Sequence, residues 1–340
     1  MQIQFTKRYI FITVLIVVLA GAVLWFLQKT QGLFSLPRGK VYTIGIVRTP
    51  PTLDHIWEGF REGMRELGYE EGKDVAYKVT EIGKEYAETK QKVAILIEGE
   101  RLDLLYVLGI QPARAGKEIT QEKGLALPII FGIAADPVGA GLVEDLRNSG
   151  NNLTGISSGN EIISSKRLEL FLEMVPGIKR VIMPWSDPIT SGISLLRESA
   201  KRMGVTLVEK QVTTVAQLDV FLSSFEFRPG DALFRATDNI SALRAKEMAA
   251  FTLKKEIPFA GTNIFDVEQG ALMSYGADYR EMGKQAAGLA RRILARGDAP
   301  SSLPIEPAAL FELIVNLNTA EKLGMSISPA FLARVDRILR

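Results

Sequence analysis

From Val41 onward, short runs that are apolar on both faces alternate with longer stretches of helical spacing, and this alternation constrains the fold more than any other feature. A strand that is apolar on both faces belongs in a parallel sheet with helices packed on each side. Strands are predicted over residues 42–47, 75–79, 102–108 and 128–133, with helices over 56–67, 86–98 and 112–123 between them. The pattern then restarts with a helix over 165–175 and strands over 180–183, 206–208, 232–235, 258–260 and 271–275. Helices over 193–203, 215–225 and 241–254 separate them, and a long helix over 282–295, a strand over 311–315 and C-terminal helices complete the chain. Two βα series of similar size predict an α/β protein of two lobes, each built on a parallel sheet.

Composition removes several classes of function. The 340 residues carry a formal net charge of only +2, without the basic stripe that a nucleic-acid binder needs. There is no cysteine, which excludes disulfides, thiolate metal sites, cysteine nucleophiles and a lipid-modified cysteine anchor. There is one histidine, His55, so a multi-histidine zinc site is excluded and a Ser-His-Asp triad would have to use that residue. No G-x-x-x-x-G-K-[ST] is present and no G-x-G-x-x-G follows the first strand. The expectation is a binding protein rather than an enzyme, with no cofactor, no metal and no catalytic residue.

Residues 9–27 read YIFITVLIVVLAGAVLWFL, without a charge and directly after Lys7 and Arg8. As a helix this run nearly matches a hydrocarbon core of roughly 30 Å. The preceding positive charges hold the N-terminus in the cytoplasm and send the rest across. This predicts a single transmembrane helix in the bacterial cytoplasmic membrane, with the C-terminal body in the periplasm or extracellular space. Residues 28–40 form its tether. Ala20-Gly21-Ala22 also has the small-x-small shape of a cleavage site, so a cleaved signal peptide is the other reading.

Ligands of open parallel sheets bind outside the carboxyl ends of the strands, so the residues just after each strand are the site candidates. These are Arg48 and Thr49, Gln111, Asp136, Trp185, the run Thr237-Asp238-Asn239, and Asn263. Arg48 suits a carboxylate, which guanidinium grips through two parallel bonds. Thr49, Gln111, Thr237 and Asn239 supply hydrogen bonds. Asp136 and Asp238 either meet an amino group or cap helices. Trp185 either stacks on the ligand or edges the core.

Several blocks, in order, carry a family resemblance. They are Ile44-Gly45-Ile46-Val47, Gly59 to Tyr69, Ala135-Asp136-Pro137-Val138-Gly139-Ala140-Gly141-Leu142-Val143, and Asn152-Leu153-Thr154-Gly155-Ile156. Thr237-Asp238-Asn239, Gly276-Ala277-Asp278-Tyr279 and Val315-Asn316-Leu317-Asn318-Thr319-Ala320 follow. Together they resemble the ABC-transporter substrate-binding proteins related to tryptophan- and tyrosine-binding components, over roughly residues 41–339. The resemblance implies a type I periplasmic-binding fold of two Rossmann-like lobes. After a membrane and tether segment over 1–40, lobe one would span 41–157 plus 277–303 and lobe two 158–276 plus 304–340. It also implies a small-molecule ligand, an amino acid among the known examples, held between lobes that close on a hinge, and an ABC permease as partner. A membrane-anchored sensing domain serving a signalling partner is the alternative. This chain departs from the pattern in three places. It lacks the anchoring cysteine, it carries Arg235-Ala236 where relatives have an apolar residue and proline, and it has Asn263 where an acidic residue is common.

Overall fold

The structure, a computed structural model, describes residues 40–49, 51–83, 85–186 and 193–340. The expected membrane helix over 9–27 lies outside the described residues, and among those described no helix is long and apolar enough to cross a membrane.

The first series runs β1 (Tyr42–Arg48), α1 (Asp54–Glu66), β2 (Val75–Glu81), α2 (Tyr86–Gly99), β3 (Leu104–Val107), α3 (Ile110–Glu122), β4 (Ile129–Ala134) and β5 (Leu153–Ser157). The second runs α4 (Asn160–Met174), β6 (Arg180–Trp185), α5 (Ile193–Arg202), β7 (Thr206–Gln211), α6 (Val215–Ser224) and β8 (Asp231–Phe234). It continues through α7 (Asn239–Ala242), α8 (Ala245–Lys254), β9 (Phe259–Gly261), α9 (Ile264–Glu268) and β10 (Met273–Ala277). The chain ends with α10 (Tyr279–Arg296), β11 (Glu306–Pro307), β12 (Phe311–Asn316), α11 (Leu317–Lys322), α12 (Pro329–Leu332) and β13 (Arg337–Leu339).

These strands form two sheets. Sheet 1 has the order β11-β5-β4-β3-β1-β2 and sheet 2 the order β13-β12-β10-β9-β8-β6-β7. Every pairing is parallel except β10 with β12. In each sheet the first strand lies between the second and third of its series. The order therefore reverses between β1 and β3 in one sheet and between β6 and β8 in the other. All residues of β3 and β4 are buried, which is why those segments read as unbroken apolar runs. Helix α1 instead buries Ile56, Gly59, Phe60, Gly63 and Met64, the three-and-four spacing of one helical face. Phe60 on that face stacks on Tyr106 of β3 at 4.0 Å between ring centroids.

The structure differs from the sequence-based expectation in a few elements. Strand β6 extends through Pro184 to Trp185, pairing Trp185 with Gln211, so Trp185 ends a strand rather than starting a loop. The expected helix over 241–254 is two helices, α7 and α8. Strands β5, β11 and β13 and the short helix α9 were not anticipated as elements, and the C-terminus ends in a strand rather than in helices alone.

The chain passes from sheet 1 to sheet 2 after β5, returns through α10 and β11, and passes over again into β12. Helix α10 lies against α1 at a contact made by glycines. A Cβ at Gly59 would meet the backbone carbonyl of Arg280, and one at Gly283 would meet that of Ile56. Ion pairs flank the contact, with Arg280 reaching Glu58 at 2.9 Å and Glu62 at 3.1 Å, and Lys284 reaching Glu66 at 2.9 Å. The glycines set the spacing, and the exposed ion pairs add little. Gly59→Ala or Gly283→Ala is expected to lower unfolding free energy by about 1–3 kcal/mol in a denaturant titration. Gly288→Ala, on the same helix but facing open space, is expected to raise it by about 0.5–1 kcal/mol. Equal effects at all three positions would contradict the close-packing account.

Candidate functional site

A pocket of about 430 Å³ opens where the carboxyl ends of the strands of both sheets converge. Sheet 1 contributes Thr49 after β1, Gly109 to Gln111 after β3, Ile133 to Ala135 around the end of β4, and Ser158 after β5. Sheet 2 contributes Ser186 after β6, Thr213 after β7, Arg235, Thr237 and Asp238 after β8, and Asn263 after β9. Tyr279, the first residue of α10, joins them. Both order reversals, β1/β3 and β6/β8, thus face this pocket, as the rule for doubly wound sheets requires. A second hollow of about 470 Å³ lies among Glu58, Arg61, Glu62, Glu71 and Tyr77, beside α1 and β2. Its charges are tied to each other, for example Arg61 to Glu71 at 3.0 Å, and it receives no strand end from sheet 2.

Each lining segment is held by its own local bonds. The Thr49 hydroxyl donates to the carbonyl of Leu108 at 2.7 Å, fastening the loop after β1 to the end of β3. Gly109 has a φ of 107°, a conformation that favours glycine, and it starts α3 without a side-chain cap. The first-turn N–H groups of α3 beside Gln111 therefore have no side chain to accept them. Asp238 is buried, and its Oδ1 accepts from the Ser241 N–H and hydroxyl, both at 2.8 Å. Its Oδ2 accepts from the Ser186 N–H at 3.0 Å, so Asp238 joins the ends of β8 and β6. Asn263 caps α9 by accepting from the Asp266 N–H at 3.2 Å, while its amide donates to the Tyr279 hydroxyl at 3.1 Å. Burial pushes the Tyr279 phenol above its ordinary range, so it keeps its proton near neutral pH.

Behind the polar rim sits a charged cluster. Arg235 is 3% exposed and donates through Nε to Asp266 Oδ2 at 2.7 Å, with a further bond to the Thr262 hydroxyl. The same Oδ2 accepts from the Thr262 N–H at 2.5 Å, while Asp266 Oδ1 is buried without a hydrogen-bond partner. Arg167 of α4 is fully buried, its Nε donating to the Tyr275 carbonyl at 2.9 Å and its guanidinium lying 5.4 Å over the Phe234 ring. Its two terminal nitrogens are buried without a hydrogen-bond partner. Burial first, and then the neighbouring Arg235, pull the Arg167 pKa down to about 10. It is still charged at neutral pH. The Thr237 hydroxyl, on the pocket wall, is also buried without a partner.

The structure brings Thr49, Gln111, Thr237, Asp238 and Asn263 to the pocket. Asn239 begins α7 next to them, but its side chain lies outside the described ones. Three candidates are placed elsewhere. Arg48 is paired with Asp54 at 2.7 Å and approaches Glu81 at 3.7 Å, both carboxylates of its own sheet's connections. Asp136 accepts from the Gly139 N–H at 2.8 Å, a local turn bond. Trp185 packs against the sheet 2 core. His55 is also outside the lining, 3.1 Å from Glu268. Sequence reasoning did not assign Arg235, Tyr279, Asp266 or Arg167 to the site. An arginine directly at the end of the apolar run Leu233-Phe234 was the available signal for Arg235.

Comparison with known proteins bears on the family and the fold. The family model for ABC transporter substrate binding protein matches residues 40–338. The Tyrosine-binding protein of Clostridioides difficile is 28% identical over 278 residues, covering 81% of this chain and 78% of that protein. A solved conserved domain protein from Vibrio cholerae superposes with a TM-score of 0.74 at 29% identity, over 88% of this chain and 99% of that one. A solved ABC domain in complex with L-Trp, from Streptococcus pneumoniae, superposes with a TM-score of 0.76 at 21% identity, over 88% of this chain and 100% of that one. At that identity the last likeness shows the fold.

The charged cluster makes a stability prediction. Removing the carboxylate leaves two buried guanidiniums, Arg235 and Arg167, without an acidic partner in the cluster. Asp266→Ala is therefore expected to cost about 3–5 kcal/mol in urea unfolding, and the paired change Arg235→Met with Asp266→Leu clearly less. A loss below about 1 kcal/mol for Asp266→Ala would show that the pair does not hold the site together.

Proposed function

The chain belongs to the ABC transporter substrate-binding proteins, and on that premise we propose that it captures a small aromatic or amino-acid-like solute for an ABC importer. The observation that carries this reading is the pocket at the strand ends of both sheets, with directional polar groups on apolar walls such as Ile110, Ile133 and Ile240. Lobe one would be residues 41–157 with 277–303, and lobe two 158–276 with 304–340, except that β11 pairs with β5 and so belongs with lobe one. The ligand would lie between them, and lobe closure would present a surface to the permease. Binding without chemistry fits a pocket whose lining does not include His55, the single histidine of the sequence. Thr49 has committed its proton to Leu108, so Thr237, Gln111 and Tyr279 are the donors proposed to meet the ligand.

Isothermal titration of the full chain with L-tryptophan, L-tyrosine and L-phenylalanine tests the reading, with neutral sugars as controls. One-to-one saturable binding of an aromatic amino acid or a deaminated analogue is expected. Thr237→Val should weaken it about five- to tenfold, the worth of one lost hydrogen bond. Saturation by sugars alone would overturn the aromatic assignment.

The N-terminal segment is proposed to remain as an anchor outside which the body is displayed. The protein should then stay with membranes after an alkaline carbonate wash and retain its own N-terminal sequence. A soluble form starting just after Ala22 would establish cleavage instead.

A further inference from the structure

We infer that the pocket is built for a net-anionic small molecule, a carboxylic acid whose charge is not cancelled by an ammonium group. The inference rests on the reading that this pocket is the ligand site, and it narrows the chemical class of that ligand.

An ammonium group is best met by a carboxylate, and the one at this pocket is already committed. Asp238 is the one carboxylate among the described lining residues, and its two oxygens accept three hydrogen bonds from Ser186 and Ser241. The Asn263 carbonyl oxygen is committed to the N-terminus of α9, and its amide side is a donor. Asp266 stands behind the wall, held by Arg235 and Thr262.

Donors and positive charge are in excess. Arg235 and Arg114 both line the pocket, and Arg167 is buried next to Arg235. The buried groups are two guanidiniums, Arg235 and Arg167, and two carboxylates, Asp238 and Asp266, and the exposed Arg114 adds a third guanidinium at the rim. Arg167 and Arg235 sit in a region of low dielectric, where a charge acts over a longer range than in water. Arg167 has no carboxylate bonded to it, and its terminal nitrogens have no partner at all. The Thr237 hydroxyl is buried without a partner, and the first turn of α3, which lacks a side-chain cap, has the Ile110 and Gln111 N–H groups to present, Pro112 having none. Helix N-termini favour anions for the same reason. A ligand carboxylate answers the excess charge and the spare donors together. An ammonium group adds a further cation beside these guanidiniums and finds no free carboxylate among the described lining residues.

Matched probes separate charge from shape. The full chain is titrated with L-tryptophan, indole-3-pyruvate and tryptamine, and in parallel with L-tyrosine, 4-hydroxyphenylpyruvate and tyramine. Each set keeps one ring system and steps the net charge from −1 through 0 to +1 by replacing the ammonium group with a ketone or removing the carboxylate. The 2-oxo acid is expected to bind about tenfold or more tighter than its amino acid, and the amine not to saturate. Arg167→Met, which leaves the Arg235–Asp266 pair intact, should shrink the preference by about tenfold. Circular dichroism establishes that this variant is folded; should it not fold, the ratio in the unaltered chain decides alone. An amino acid binding as tightly as its oxo acid, or an unchanged ratio in folded Arg167→Met, would overturn the inference and leave the receptor reading standing. Failure of all six probes to bind would remove both the aromatic-solute reading and this inference.

Discussion

Parallel pairing is the constraint on which the rest of this molecule depends. In a parallel sheet all strands end on one edge, and the helices that follow begin there. The runs of β3 and β4 are buried and, apart from Tyr106, apolar, so most polar chemistry is displaced to the residues just beyond the strands. Where strand order reverses, adjacent connections leave toward opposite faces and a crevice opens between them. This chain does so twice, and its two crevices supply one pocket. Thr49 and Gln111 flank one reversal, and Ser186 and Asp238 flank the other.

The charged cluster behind that pocket opposes the economy of the fold. Burying Arg235 and Asp266 yields little net stability, since desolvation offsets their attraction. Burying Arg167 without a carboxylate is costlier still. Its contacts with the Tyr275 carbonyl and the Phe234 ring recover only part of the lost hydration. Arg167 comes from α4, the helix that carries the chain out of sheet 1, while Asp266 comes from the one-turn helix after β9. The cluster therefore joins segments far apart in sequence at the wall of the site, where a charged ligand has most to gain from it.

How much of this was legible in the sequence varies by residue. The covered strands were readable because burial on both faces leaves an unmistakable run. Strand β5 was not, because Leu153-Thr154-Gly155-Ile156-Ser157 mixes polar and apolar residues. Its Gly155 lies so close to Phe131 of β4 that a Cβ would collide with it, a packing reason that pattern alone cannot reveal. Strand β13 exists through pairing with β12, and nothing in Arg337-Ile338-Leu339 favours it by itself. Site candidates were found by position, which placed five of nine at the pocket. Position could not distinguish a side chain that faces the pocket from one already used, as with Arg48 at Asp54 and Asp136 at Gly139. Arg167 was illegible for the opposite reason: a charged residue on a helix reads as solvated until the fold buries it.

Helix α10 links the pocket to the architecture. Its cap, Asp278, accepts from the Arg280 and Glu281 N–H groups at 2.9 and 3.1 Å, directly after the last parallel strand of sheet 2. Its first residue, Tyr279, lines the pocket and bonds Asn263 of sheet 2's connections. Its body is fixed to α1 by backbone approach at Gly59 and Gly283. That contact leaves no room to slide, because glycine surfaces offer no side chain to repack. The two sheets are joined by the short crossings after β5, before α10 and between β11 and β12. Backbone bonds tie the crossing between β11 and β12 to each of the other two, Ala308 N–H to the Ser157 carbonyl at 2.8 Å and Asp278 N–H to the Leu310 carbonyl at 3.0 Å. Tyr279 stands beside the crossing that enters α10 and also lines the pocket, so a ligand bonded to its hydroxyl would act directly on a segment that joins the two sheets.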